Sequence, residues 1–166
     1  MKLIDALNKL ENSEEFNDWK IENDDSFLVH FFIMDSDNVN KEWQIGYYNP
    51  KTDMIVTFVV NDETITLNPE TEVFKEHKGI KPLDVNLVSI NFDQAKDIAK
   101  RVQEQKYSVH LPLKKIFILQ NIEAGHVWNV TYITQSFKTL NIKVDSENGD
   151  IVEDNLVEVF SFDKGK

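Results

Sequence analysis

Carboxylates lead the side chains here that could do chemistry. Glu11, Glu14, Glu15, Asp18, Glu22, Asp24 and Asp25 fall within fifteen residues, opposed only by Lys20. Like charge gathered this closely steers association with a basic surface. The run reads either as a docking face for a basic protein or as a solvated face that aids solubility. It is the leading candidate for a partner site, because repulsion among seven carboxylates costs stability without an evident folding reason. The other candidates are thin. His30, His77, His110 and His126 are dispersed and form no His-Glu-x-x-His set, the spacing by which one helix face offers two ligands to a metal. Asp145-x-Glu147-x-Gly149-Asp150 begins like a calcium loop, but its twelfth position is Leu156, which has no oxygen to ligate with. Glu42 and Asp53 could meet across a hairpin, yet acid–base work is set by geometry that spacing does not show. There is no cysteine, hence no disulfide, thiolate ligand or cysteine nucleophile. Neither a Gly-x-Ser-x-Gly elbow nor a phosphate loop occurs among the five glycines. The expectation is a chain with no catalytic residue, no cofactor and no metal.

The chain has 166 residues, 41% of them hydrophobic and 28% charged, a globular balance. Its net charge is −11, and residues 1–76 carry all of it, since residues 77–166 sum to zero. So negative a chain does not track nucleic-acid phosphates. No run approaches the roughly 18 apolar residues of a membrane span. Met1-Lys2-Leu3-Ile4-Asp5 lacks the apolar core of an export signal. The expectation is a cytoplasmic chain with no membrane partner, or an extracytoplasmic one if a leader has been removed.

The chain reads twice. Glu42-Trp43-Gln44-Ile45-Gly46-Tyr47-Tyr48 resembles Val127-Trp128-Asn129-Val130-Thr131-Tyr132-Ile133, and Glu72-Val73-Phe74 resembles Glu158-Val159-Phe160. The spacing, 85 residues from Trp43 to Trp128, suits two tandem copies of a small domain. Each copy opens with a helix. Leu3, Leu7 and Leu10 make the first stripe, with Ser13 as a cap for a short turn over Glu14–Asp18. Ala95, Ile98, Ala99 and Val102 make the second, with Asn91 as cap and Gln94 as its reciprocal partner. Strands are predicted over Phe27–Met34, Lys41–Tyr48, Met54–Val60 and Thr64–Leu67. In the second copy they fall at Lys115–Asn121, His126–Thr134, Lys138–Val144, Ile151–Val152 and about Leu156–Phe162, with Asn148-Gly149 the strongest turn signal. The predicted fold class is therefore α+β, as two tandem units, each a helix packed on an antiparallel sheet. The units span residues 1–76 and 87–166, and residues 77–86, with Gly79 and Pro82, form a linker.

The second copy reads Ile90-Asn91-Phe92-Asp93-Gln94-Ala95 at a helix start, then Ile98-Ala99, then a strand centred on Trp128, then Val144-Asp145-Ser146-Glu147-Asn148-Gly149-Asp150-Ile151-Val152. This resembles the PepSY domain family, with its helix, Trp-bearing strand and Val-Asp-x-x-x-Gly-x-Val hairpin. The resemblance spans about residues 88–155, and the first copy shares it faintly. It implies a non-enzymatic module that binds proteins or inhibits peptidases, and it supplies no catalytic residue. On this reading the chain is a protein-interaction module, one form of which is a peptidase inhibitor or regulator, docking through a sheet edge or its acidic face. A separate reading is an acidic decoy of nucleic acid, which would compete with DNA for a basic protein.

Trp43 and Trp128, at matching positions, offer a different class of function. Either they are core residues under the helix or they line a shared ligand groove, as in a small-ligand-binding or enzymatic α+β protein with a cleft between helix and sheet. A cleft of roughly several hundred Å³ with converging polar groups would mark that alternative. Lys96, Lys100, Arg101, Lys106, Lys114 and Lys115 form a basic group in the second copy that is either ordinary surface or a counterpart to the acidic run.

Overall fold

The computed structural model describes residues 1–36, 41–72 and 79–158. Local signals place the helices. In α1 (Leu3–Glu11) the stripe of Ala6, Leu7 and Leu10 is buried. Ser13 ends that helix and caps α2 (Glu14–Glu22), its hydroxyl accepting from the Phe16 amide at 3.2 Å. Helix α3 (Phe92–Lys106) opens on a complete capping box, in which Asn91 and Gln94 exchange bonds of 2.9 Å. The strands are β1 (Phe27–Asp35), β2 (Trp43–Asn49), β3 (Met54–Val60), β4 (Ile65–Glu72), β5 (Pro112–Ile122), β6 (Gly125–Thr134), β7 (Lys138–Asp145) and β8 (Ile151–Glu158). The last is a single strand where two short ones were expected. Gly149, at φ +82°, turns the chain between β7 and β8.

The expectation of two tandem helix-on-sheet units, and of an internal duplication into such units, is corrected by the sheet. All eight strands form one sheet in the order β4-β3-β2-β1-β5-β6-β7-β8. Strands from residues 1–76 and from 87–166 meet where β1 pairs antiparallel with β5, from Asp35 opposite Lys115 to His30 opposite Gln120. The physical reason lies in those two strands. Both are apolar on both faces, with Phe31, Ile33, Phe117 and Leu119 toward the helices and Phe32, Met34, Ile116 and Ile118 away from them. Two separate units would leave such strands as open edges, and pairing removes both edges at once.

One core follows. Leu7, Leu10 and Phe16 from the first two helices and Ala95 and Ala99 from α3 share a cluster with Trp43, Phe58, Phe117 and Trp128 of the sheet. Residues 79–86, read as linker, cross the ends of the strands. Leu83 is buried and its amide donates to the Leu28 carbonyl at 2.9 Å, while Asn121 Nδ2 donates to the Pro82 carbonyl at 2.9 Å. A 3-10 turn over Val85–Leu87 then leads to Ser89 and Ile90, whose amides both donate to the Ser146 carbonyl. Residues 77 and 78 of that stretch, and Val73, Phe74, Val159 and Phe160 of the repeat, lie outside the described residues.

On the face away from the helices, the His30 ring lies over its register partner Gly46. A Cβ on Gly46 would stand 2.3 Å from the ring. Gly46→Ala is therefore expected to cost about 1–3 kcal/mol by overpacking, and most of that cost should vanish in the double variant with His30→Ser. Burial lowers the His30 pKa from 6.5 to about 4. The folded chain thus holds this ring neutral where the unfolded chain protonates it, so its contribution to stability is whole above pH 6.5 and is lost as pH falls toward about 4. Urea midpoints followed over that range should fall more steeply for the natural chain than for His30→Gln.

Candidate functional site

Trp43 on β2 and Trp128 on β6 face the helices from strands on opposite sides of the central pair, and both are almost wholly buried. Their rings stand 6.5 Å apart, with Phe92 of α3 closing the gap at 5.4 Å from Trp43 and 6.0 Å from Trp128. Each indole is pinned by its N–H. Trp43 Nε1 donates to the Met1 carbonyl at 3.2 Å, ahead of α1, and Trp128 Nε1 donates to the Ile90 carbonyl at 2.8 Å, ahead of α3. A buried indole N–H needs an acceptor, so each bond draws a helix start toward the middle of the sheet.

Between the two helix starts a cleft of about 740 Å³ remains. Ile33, Trp43, Trp128 and Phe92 line its apolar floor, Val85 and Val88 one wall, and Lys2, Asp5, Lys41, Asn91 and Asp93 supply polar groups. Beside it Asp35 accepts from Lys96 at 3.0 Å and from Lys41 at 3.3 Å. Burial alone would raise the Asp35 pKa, but the two ammonium groups outweigh it and hold the carboxyl below the usual range. That pair of contacts ties α3 to the sheet and fixes Lys41 at the cleft mouth. The lining includes no histidine and no serine, and among the described residues no group of three or more His, Cys, Asp or Glu could hold a metal ion.

The acidic run is divided among separate duties. Glu14 and Glu15 occupy the first turn of α2, where the helix dipole favours negative charge, which supplies a folding reason that spacing did not reveal. Glu11 accepts from the Tyr47 hydroxyl at 3.4 Å, and burial together with that carboxylate raises the Tyr47 pKa. Asp24 and Asp25 meet Lys51 at 3.4 and 2.6 Å. Asp18 and Glu22 are exposed on α2. Lys20 is spent on the backbone, donating to the carbonyls of Asn23, Asp24 and Ser26. Of the basic group, three lysines of α3 meet carboxylates outside the run: Lys96 reaches Asp35, Lys100 reaches Glu104 and Lys106 reaches Asp154.

The matching tryptophans stood out in the sequence, and the structure buries both in the core beneath the cleft. Lys2, Lys41, Val85 and Val88 carried no such signal, because they come from an N-terminus, a strand approach and a crossing segment that only the fold brings together. Models of known protein families and curated proteins were compared with the chain, and none matches. Among solved structures the fold is similar to that of a candidate lipoprotein from Clostridium difficile 630, with a TM-score of 0.57 and 17% identity over 86% of this chain and 90% of the other. That likeness concerns the fold. No helix among the described residues is long and apolar enough to cross a membrane.

The two indole bonds make a test of the frame. Trp128→Phe keeps an aromatic floor but strands the Ile90 carbonyl, and is expected to cost about 1–3 kcal/mol in urea unfolding. Trp43→Phe should cost less, because Met1 is exposed and water can replace the donor.

Proposed function

We propose that the chain is a non-enzymatic binding module whose cleft takes a small amphipathic ligand. The observation that carries this is the cleft itself, about 740 Å³ in volume, with an aromatic floor and charged groups at its mouth. Sites of this kind bury the apolar part of a ligand and orient it by a few polar contacts. An apolar group would lie on Phe92, Val85 and Val88, above the buried Trp43 and Trp128, with its polar end toward Lys2 and Lys41. The resemblance to PepSY domains supports the non-enzymatic half of the reading. The fold shared with a candidate lipoprotein supports a setting outside the cytoplasm.

A second reading, docking of a protein, is favoured by one observation. Ile21 on α2 is 78% exposed and stands beside Asp18 and Glu22, neither of which has an ion-pair partner among the described residues. An apolar anchor ringed by carboxylates suits a basic protein, a basic peptidase included. Addition of a strand at a sheet edge is less suited, since Pro69 removes a backbone donor from β4 and Glu153, Asp154 and Glu158 line β8.

The probe 1-anilinonaphthalene-8-sulfonate, an apolar ring system with an anionic group, tests the first reading by fluorescence titration. One site per chain is expected, weakened about tenfold or more by Val88→Trp, which fills the cleft wall, and weakened less by Lys41→Glu. Equal binding by Val88→Trp would overturn the assignment. Retention of a partner protein at low salt that is lost in Ile21→Asp, with no probe binding, would favour the second reading.

A further inference from the structure

The sheet has a second face, turned away from the helices and the cleft, and it is nearly free of charge. At its centre Phe32 and Met34 of β1 meet Ile118 and Ile116 of β5 in register. Met34 is exposed and the other three are half-buried. Gln44 of β2 lies beside Phe32, and Asn129 of β6 lies beside Ile118. No Asp, Glu, Lys or Arg takes an outward position on β1, β2, β3 or β6, in a chain that is 28% charged. Asp35, the one carboxylate of β1, points the other way, to Lys96 of α3. His30 is neutral at pH 7, its pKa being about 4. Lys114 stands at one end of β5, and on β7 and β8 Lys143 and Glu153 offset each other at 2.8 Å. Carboxylates return at the rim, with Glu42 and Asp53 beyond the ends of β2 and Asp145 at the end of β7.

A solvated face of an antiparallel sheet alternates to polar side chains, and charge on it keeps sheets from associating. This chain has charge to spare, at −11 net, yet places almost none of it here. Folding sets no demand for uncharged side chains at positions that face water. Depletion of charge around an apolar centre is instead the composition of an interface core.

The nature of the face selects its occupant. A basic partner would be met by carboxylates, not by an uncharged surface. In a two-fold dimer each residue near the axis meets its own copy, so a charge there would meet like charge. Amides suit that arrangement because each both donates and accepts. Gln44 and Gln120 spend neither capacity among the described residues. The area fits as well. Eight strands about 4.8 Å apart, each paired over about six residues, give a face of about 750 Å². A stable interface takes about 800 Å² from each partner.

We infer that two copies of the chain pack this face against itself, with Phe32, Met34, Ile116 and Ile118 of each at the centre. The two sheets stack as in a sandwich, about 10 Å apart. The acidic rim and the helices stay outside.

Sedimentation velocity of the full chain tests this. A dimer is expected at about 50 µM chain. It should hold or tighten as salt rises to about 0.5 M, since screening weakens the repulsion between two acidic chains. Ile118→Lys should raise the dimer Kd about tenfold or more. Gln44→Glu keeps the side-chain shape and adds one charge to each copy. It should raise the Kd by a similar factor while leaving the urea midpoint of the dilute chain unchanged, which separates loss of the interface from loss of the fold. Ile21→Asp and Val88→Trp, on the helix side, should leave the dimer intact. A chain that stays monomeric at both salt concentrations, or a dimer that Gln44→Glu leaves intact, would overturn the proposal. The face lies opposite the cleft, so this test and the probe titration fail independently.

Discussion

The antiparallel pairing of β1 with β5 is the constraint on which the rest of this protein depends. It sets Phe31 against Leu119 and Ile33 against Phe117, and from that seam one meander runs outward through β2, β3 and β4 and the other through β6, β7 and β8. Because the seam is apolar on both faces, it belongs at the centre of a wide sheet rather than at an edge. With the sheet continuous, all three helices share one face and one core. Phe92, at the start of α3, can then reach Trp43 on a strand from the first half of the chain.

The same seam explains how a cleft survives in a well-filled core. Each tryptophan holds the start of one helix by an N–H bond, one ahead of α1 and one ahead of α3. Two helix starts held at a fixed separation leave space between them, and Ile33 on β1 lies beneath it. The crossing segment closes one side with Val85 and Val88, itself fixed by Leu83 in the core and by the Ser146 carbonyl. The cleft is thus framed by buried bonds and packed residues, while its polar groups stand at the mouth.

Charge is managed locally, and the large negative total hides this. Some carboxylates serve helix starts, some pair with Lys51, and Asp35 joins β1 to α3 through Lys96.

The sequence by itself determined the local features. Ser13 and Asn91 cap helices because a side-chain oxygen reaches an amide three residues on, and Met54–Val60 forms its strand as alternation predicts. Such signals act within a few residues, so they are legible in one dimension. The matching surroundings of Trp43 and Trp128 were legible too, but not that both rings would share one core. Only the tertiary structure decided that the strands make one sheet and not two units, because the same alternation serves a strand whichever neighbour it meets. Pairing across the some eighty residues between β1 and β5 is chosen by the total apolar area it removes from water, a property of the whole chain. The rim of Lys2, Lys41 and Val88 follows from that choice, and no residue pattern announces it.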